Sequence, residues 1–215
     1  MVREELEGKN MKKWMDKLYA NIDDAKAFEL SFTNFAYFYD SVSTWDFHTE
    51  ICSKCRRTVQ SQDYLAPKSS CKKDTSILHS LEFGVSPALR AQLIELFDIT
   101  ETDFRPVRNR QGEIVYYQIT PQHVMLPMYR ENEWIPQEPC PQCGAIQYAR
   151  HDYENEKRET YHYISKEALE DMHDLNVTYE HFNWGRPICV ISRRVYDYLT
   201  EQYPRTHYFP FFLKE

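Results

Sequence analysis

Two Cys-x-x-Cys pairs, Cys52/Cys55 and Cys140/Cys143, are the feature that most constrains the fold of this chain. Two cysteines separated by two residues can lie on one tight turn with both sulfurs directed at the same ion. Zinc requires four ligands in a tetrahedron, and neither pair is followed a few residues later by a histidine that would complete a separate site. The sequence therefore predicts that the two pairs meet and together hold one structural Zn2+ ion.

Two other uses of the pairs stay open, as a redox-active dithiol or as structural disulfides. A redox pair normally begins a thioredoxin-like strand–helix unit, which neither pair does. Disulfides need an oxidising compartment, whereas the first residues are charged and contain no apolar segment of a secretory signal. No stretch approaches the roughly 18–20 apolar residues of a membrane span. We therefore expect a cytoplasmic, soluble protein without a membrane segment, in which reduced cysteines favour metal binding.

The residues around the pairs predict two knuckle turns that differ in detail. Pro141 lies inside the second pair, and Gly144 directly after it tolerates the close backbone approach of a zinc knuckle. The first pair is followed by Arg56 instead of glycine, and Arg56 and Lys54 would offset the double negative charge of zinc bound by four thiolates. Four thiolates leave no coordination position for water or substrate, so the predicted role of the metal is structural.

Two cysteines lie outside the pairs. Cys189 falls in an unbroken apolar run and is predicted to be a buried thiol of the core. Cys71 lies in a lysine-rich segment, and its use in place of one of the four ligands stays open as an alternative. His48 and His151, which flank the pairs, are alternatives for contacts to the ligand sulfurs.

Hydrophobic patterns predict an α+β fold with a mixed, largely antiparallel sheet and about four helices. Ser86 and Pro87 are typical of a helix start, and apolar residues then recur at helical spacing to about Phe97. Asn109–Gly112 has the composition of a hairpin turn. The polar segment 58–76 is expected to be a loop. The other predicted elements are helices at 11–19, 165–173 and 192–203, and strands at 27–32, 104–107, 113–119, 187–191 and 208–213.

We expect one zinc-scaffolded domain over residues 1–215, within which two stretches, 28–120 and 121–215, resemble each other. In each stretch an apolar strand leads to a serine that begins a three-turn helix, a strand with a proline follows, and a cysteine pair comes earlier. An internal repeat and a chance likeness of two strand–helix–strand units are both open interpretations. The matched positions are Ser86 and Ser192, Leu89 and Val195, Leu93 and Leu199, Phe97 and Tyr203, and Pro106 and Pro210.

Charge and motifs restrict the functions that the sequence favours. The net charge of −7 makes nucleic acid an unlikely partner, because an acidic protein repels a phosphate backbone. The basic stretch 53–73 keeps a zinc-ribbon-type nucleic-acid-binding or regulatory protein as the alternative. HExxH, GxSxG, P-loop and GxGxxG motifs are all absent from the sequence, so it does not favour an enzyme. The acidic stretch 151–174, with its tyrosines, is the predicted face for a protein partner.

The two cysteine pairs, the strand Phe28–Leu30 before the first pair, the helix between the pairs and the chain length give this sequence a family resemblance. It resembles the bacterial double-CxxCG motif family, which includes proteins classed as immunity partners of polymorphic toxins; Arg56 stands where the family has its first glycine. The resemblance implies a non-enzymatic, zinc-binding protein that neutralises a cognate toxin. It also implies that the four paired cysteines are the metal ligands.

Overall fold

A computed structural model of the chain describes residues 19–30, 50–54, 58–60, 74–79, 82–109, 111–128, 134–136, 138–144, 148–150, 163–180, 187–203 and 208–213. Three α-helices and thirteen β-strands lie entirely within these residues. The helices are α1 (Pro87–Leu96), α2 (Lys166–Asp171) and α3 (Arg193–Gln202). The strands are β1 (Ala27–Glu29), β2 (Glu50–Ile51), β3 (Thr58–Gln60), β4 (Thr75–His79), β5 (Glu82–Val85), β6 (Phe104–Arg108), β7 (Ile114–Ile119), β8 (Trp134–Pro136), β9 (Tyr148–Arg150), β10 (Tyr163–Ile164), β11 (Leu175–Val177), β12 (Cys189–Ser192) and β13 (Phe209–Leu213).

The strands form two larger sheets and two ribbons, so the predicted α+β class with mixed and antiparallel pairing is confirmed. The five-stranded sheet has the order β10-β13-β1-β12-β11. This sheet is mixed, because β10 runs parallel to β13 whereas every other pair of neighbouring strands in it is antiparallel. The four-stranded sheet has the order β4-β5-β7-β6 and is antiparallel throughout. The ribbons are β2–β3 and β8–β9, both antiparallel.

One hydrophobic core contains residues from both larger sheets and from α1 and α3. Side chains alternate across a strand, so Phe28 of β1 and Ile191 of β12 face this core, whereas their neighbours Ala27 and Val190 face away from it. The opposite face of the five-stranded sheet is covered by α2 and by the segment 125–128. The residues of the second cluster are Ala27, Met125, Met128, Ile164, Ala168, Val190 and Phe211.

Serine side chains begin all three helices. Ser86 Oγ accepts a hydrogen bond from the Leu89 N–H, and Ser192 Oγ accepts one from the Val195 N–H. Ser165 makes the same bond at the start of α2. These bonds satisfy backbone donors that have no partner within the helix, so the predicted helix starts are confirmed.

The turn between β6 and β7 also has the predicted chemistry. Asn109 Oδ1 accepts hydrogen bonds from the Gln111 and Glu113 N–H groups. Gly112 has φ +83°, a conformation that side chains other than glycine adopt with strain. This turn connects the outermost strand of the four-stranded sheet to β7 inside it.

Several predictions on the rest of the chain were incomplete or wrong. The expected loop at 58–76 is interrupted at both ends, because β3 covers Thr58–Gln60 and β4 begins at Thr75. The helix count within the described residues is three instead of about four, and the helix predicted at 11–19 lies almost wholly outside them.

None of the described helices has the length and apolar character that crossing a membrane requires.

A partly buried carboxyl group lies in the middle of the five-stranded sheet. Glu29 of β1 lies between Val190 and Phe209 on the two neighbouring strands. Burial raises the pKa of Glu29 to about 7, because the ionised carboxylate loses its hydration. Glu29 therefore carries a proton in the folded protein over much of the mildly acidic range.

Glu29→Gln should change how the free energy of unfolding depends on pH. A carboxyl group with a raised pKa stabilises the folded state below its ordinary pKa and loses that contribution as the pH rises through about 7. Relative to the variant, the parent protein should therefore lose roughly 3 kcal/mol of unfolding free energy between pH 4 and pH 8. Urea unfolding of both proteins at the two pH values measures this. A constant difference between them would contradict the protonation of Glu29.

Candidate metal centre

Two ribbons position the cysteine pairs. β2 ends directly before Cys52 and pairs with β3, so Cys52 begins the loop of one ribbon. β8 and β9 pair in the same way on either side of Cys140 and Cys143. A two-stranded ribbon is at best marginally stable in water by itself. Contacts between the two loops therefore matter for the order of both ribbons.

The structure brings three of the four predicted ligands together. The Sγ atoms of Cys52, Cys140 and Cys143 all lie within 4.8 Å of one another. Cys52 and Cys140 are buried, with 3% and 8% of their surface exposed, and Cys143 is partly exposed. Among the residues that the structure describes, this is the group of metal-binding side chains that is close enough to hold an ion. Cys55, the fourth predicted ligand, lies outside the described residues.

The distances in this cluster fit a metal centre and do not fit a disulfide. Two sulfurs that bind one zinc tetrahedrally, each about 2.3 Å from it, lie about 3.8 Å apart. The Sγ atoms of Cys52 and Cys140 are 3.8 Å apart. A disulfide needs an S–S distance of about 2.05 Å, and the cysteines are thiols in this structure. The three cysteines could thus hold a metal ion, and sulfur ligands favour zinc, copper(I) or iron over magnesium and calcium.

The backbone after the second pair forms a tight turn. The Gly144 N–H donates a hydrogen bond of 2.8 Å to the Cys140 carbonyl oxygen. Gly144 has φ +70°, in the left-handed region where glycine meets no penalty from a Cβ atom. The turn brings Cys143 back over Cys140, and this places both sulfurs on the same side of the loop.

A side-chain hydrogen bond connects the two loops independently of any metal. Ser53 Oγ donates to Gln142 Oε1 at 2.9 Å, and both residues lie inside their cysteine pairs. The bond is exposed, so its net contribution to stability is small. Lys54, two residues after Cys52, is also exposed.

Cys189 packs against the core as its apolar surroundings predict, although it is half-buried and not fully buried. It lies on β12 and packs against the main core. Desolvation raises the pKa of its thiol, with smaller contributions from the negative charges of Glu29 and Asp103. A thiol with a raised pKa stays protonated, so Cys189 is a poor metal ligand and a poor nucleophile. Cys71, His48 and His151 lie outside the described residues.

The structure also shows a pair of histidines that sequence reasoning did not single out. The rings of His123 and His173 stack with their centres 4.1 Å apart. His123 Nε2 lies 3.2 Å from Asp171, and His173 Nδ1 lies 3.4 Å from Asp98. No spacing in the sequence indicates this pair, because the two histidines lie on separate loops. Each ring faces its own carboxylate, and the four side chains form no three-ligand group.

No family model and no curated protein matches this chain. The resemblance to the double-CxxCG family therefore stays a prediction. The function has to be argued from the cysteine cluster, its surroundings and the charge of the chain.

Gly144→Ala should lower the free energy of unfolding by about 1–2 kcal/mol, because alanine is strained at positive φ. A Cβ at this position meets no atom within 4 Å, so backbone strain is the expected cause. The substitution should also weaken metal binding, since the turn orients Cys140 and Cys143. Chemical unfolding and competition with a zinc chelator measure the two effects.

Gly112→Ala is the matched control for this prediction. Gly112 has a similar φ of +83°, also has open space around its Cβ position, and lies in the β6–β7 turn, outside both cysteine ribbons. It should lower stability by a similar amount and leave metal affinity unchanged. Equal metal affinity in both variants would contradict the role of the Gly144 turn in the metal centre.

Proposed function

We propose that this protein is a non-enzymatic protein-interaction module whose fold is completed by one structural zinc ion. The observation that carries the proposal is the convergence of three cysteine sulfurs from two distant ribbons to within 4.8 Å of one another. Two cysteines of one tight turn and a third cysteine from a second ribbon, with sulfurs spaced as around one tetrahedral ion, are the arrangement that a metal centre requires.

The proposed ligands are Cys52, Cys55, Cys140 and Cys143. Cys55 completes the first Cys-x-x-Cys pair, and this spacing lets both cysteines of a pair reach one ion, as Cys140 and Cys143 can in the second pair. Zinc is favoured among the metals that prefer sulfur because four cysteines in two such pairs are its common structural site. A site with four protein ligands has no position open for substrate, which supports a structural role.

The zinc would link two ribbons that are each too short to be stable alone. Cys52 and Cys140 are separated by 88 positions in the chain, so a metal bound to both closes a long loop. The unfolded chain does not hold these cysteines together, so the free energy of zinc binding adds directly to the free energy of folding.

The purified protein should contain one zinc ion per chain, measured by elemental analysis. With cobalt(II) in place of zinc, thiolate-to-metal charge-transfer absorption should appear in the near ultraviolet. Cys52→Ala and Cys140→Ala should lose the metal, because each removes a ligand. Each should also lower the unfolding free energy by several kcal/mol, since a structural zinc ion contributes to folding itself.

Cys189→Ala is the matched control for these cysteine variants. Cys189 lies on β12, outside the cluster, so its removal should leave the zinc content at one ion per chain. A zinc-free parent protein, or a normal zinc content in Cys52→Ala, would reject the proposed metal site.

The proposed interaction partner is a cognate protein toxin, with the protein acting as its immunity partner. Two observations support this: the resemblance carried by the two cysteine pairs, and the net charge of −7. An acidic inhibitor is attracted electrostatically to the basic substrate-binding cleft of a nuclease-type toxin, which speeds association. Neutralisation requires binding alone and no chemistry.

The toxin proposal can be tested with the product of the reading frame next to the one that encodes this chain. Co-expression should give a stable complex and should protect cells from that product. Association should slow as salt concentration rises, because charge steers it. A protein that shows no complex, but binds nucleic acid with a steep negative salt dependence, would favour the zinc-ribbon-type alternative instead.

A further inference from the structure

The two larger sheets are built with the same connections. In the four-stranded sheet, β4 pairs with β5, α1 follows β5, and β6 returns to the far side of β7. In the five-stranded sheet, β11 pairs with β12, α3 follows β12, and β13 returns to the far side of β1. β7 and β1 therefore occupy the same place, between the strand before the helix and the strand after it.

The pairing registers agree residue by residue. Tyr117 of β7 lies opposite Val85, which precedes the serine cap of α1, and opposite Pro106. In the same way, Phe28 of β1 lies opposite Ile191, which precedes the serine cap of α3, and opposite Pro210. The two prolines and the two serine caps thus have equivalent positions in both sheets.

Two equivalent aspartates, Asp74 and Asp174, stabilise the starts of α1 and α3. The local sequence around neither aspartate predicts this role. Asp74 precedes β4; its carbonyl oxygen accepts from the Ser86 N–H, and its carboxylate accepts from the Ser86 hydroxyl. Asp174 precedes β11 and makes the same two bonds with the N–H and hydroxyl of Ser192. Two strand–helix–strand units that looked alike by chance would not be expected to share an aspartate that bonds to both the N–H and the hydroxyl of the serine cap.

The equivalence extends to the ring that each central strand places against its helix. The fourth residue after each serine cap lies over this ring. Arg90 Cζ lies 4.4 Å from the centre of the Tyr117 ring. Tyr196 stacks on Phe28 with ring centres 3.6 Å apart.

In chain order, each set of elements begins with a strand that does not join the sheet formed by the rest of its set. This first strand pairs in the sheet formed by the other set. We name residues 27–108 the N-terminal unit and residues 114–213 the C-terminal unit. β1 starts the N-terminal unit but lies in the sheet of β11, β12 and β13, whereas β7 starts the C-terminal unit but lies in the sheet of β4, β5 and β6. The cysteine ribbon follows this first strand in both units.

Two pairs of equivalent residues contact each other, so both pairs lie close to the axis that relates the two units. Gln92 and Tyr198 each lie six positions after their serine cap, and the Tyr198 hydroxyl donates to Gln92 Oε1 at 3.0 Å. Cys52 and Cys140 are each the first cysteine of their pair, and their Sγ atoms are 3.8 Å apart. The axis that relates the units therefore passes through the helix contact and through the thiol cluster.

Contacts off the axis occur in reciprocal form. Asp174 of the C-terminal unit accepts a hydrogen bond from the Asp98 N–H, just after α1. Asp74 of the N-terminal unit is hydrogen-bonded to Tyr203, just after α3. Each aspartate thus connects the start of its own helix to the end of the other unit's helix.

We infer that this chain is an intramolecular dimer, in which two copies of one unit exchange their first strands and bring their cysteine pairs together on the pseudo-twofold axis. The units join in the Asn109–Glu113 turn, so the boundary lies before β7 and not after residue 120. The metal part of this inference rests on the proposed zinc site, whereas the strand exchange does not. A metal on the axis would hold the two exchanged strands in place equally.

The test uses the full-length chain with a specific protease site inserted after Gln111, in the exposed turn between the units. Cleaved, metal-loaded protein should elute from gel filtration as one species of the parent size. When it is mixed with isotope-labelled cleaved protein, fragment exchange followed by native mass spectrometry should be slow, because separation opens both sheets. Chelation should accelerate exchange about tenfold or more, since the metal closes the pair.

The pseudo-twofold symmetry also predicts how the cysteine variants behave. In cleaved protein without chelator, Cys52→Ala and Cys140→Ala should accelerate fragment exchange to the same extent, and Cys189→Ala should leave it at the parent rate. Separation of the metal-loaded fragments into folded halves, or a large difference between the two ligand variants, would overturn the inference. If the parent contains no zinc, the proposed metal site fails, and exchange of the cleaved metal-free protein still decides whether the strands interlock.

Discussion

The structure depends on the pairing of β1 with two strands from the far end of the chain. Bringing residues this distant in sequence together costs on the order of 4–5 kcal/mol of chain entropy. Burial offsets this cost, because Ala27 and Phe28 are fully buried and Leu30 is 2% exposed. Once β1 lies between β12 and β13, the segment that follows it starts from a fixed position. Less free chain then has to be ordered when Cys52 meets the second cysteine pair.

The sequence allowed prediction of the elements whose signals are local. Serine caps identified the helix starts because a cap acts within a few residues, and the turn at Asn109–Gly112 was readable for the same reason. β4 and β11 were missed, because short strands are stabilised by partners that are not adjacent in sequence. The same limit applies to Glu29, whose raised pKa comes from the strands on either side of it and not from its neighbours in the chain.

The candidate site was predictable in its chemistry and only partly in its geometry. Cysteine spacing identified the residues and the class of metal, since a tight turn with two sulfurs is a local property. Whether the two pairs would meet depended on the fold between them, and the structure shows this for Cys52, Cys140 and Cys143. The histidine pair His123 and His173 had no comparable local signal, because its stacking depends on how two loops pack.

Departures from symmetry indicate where the two units would have acquired separate roles. The segment between the ribbon and the next strand of the larger sheet is 24 residues long in the C-terminal unit (151–174), where it includes β10 and α2, and 14 residues long in the N-terminal unit (61–74). This addition covers the outer face of the five-stranded sheet through Ile164 and Ala168. A second departure is chemical: Glu29 of β1 corresponds in register to Gln118 of β7, so a titratable group stands where the other unit has a neutral amide. A glutamine at the equivalent place fits a site that holds the glutamate protonated, because both groups are neutral and similar in shape. The shared fold therefore does not require a titratable group at this position. Glu29 is a difference between the two units.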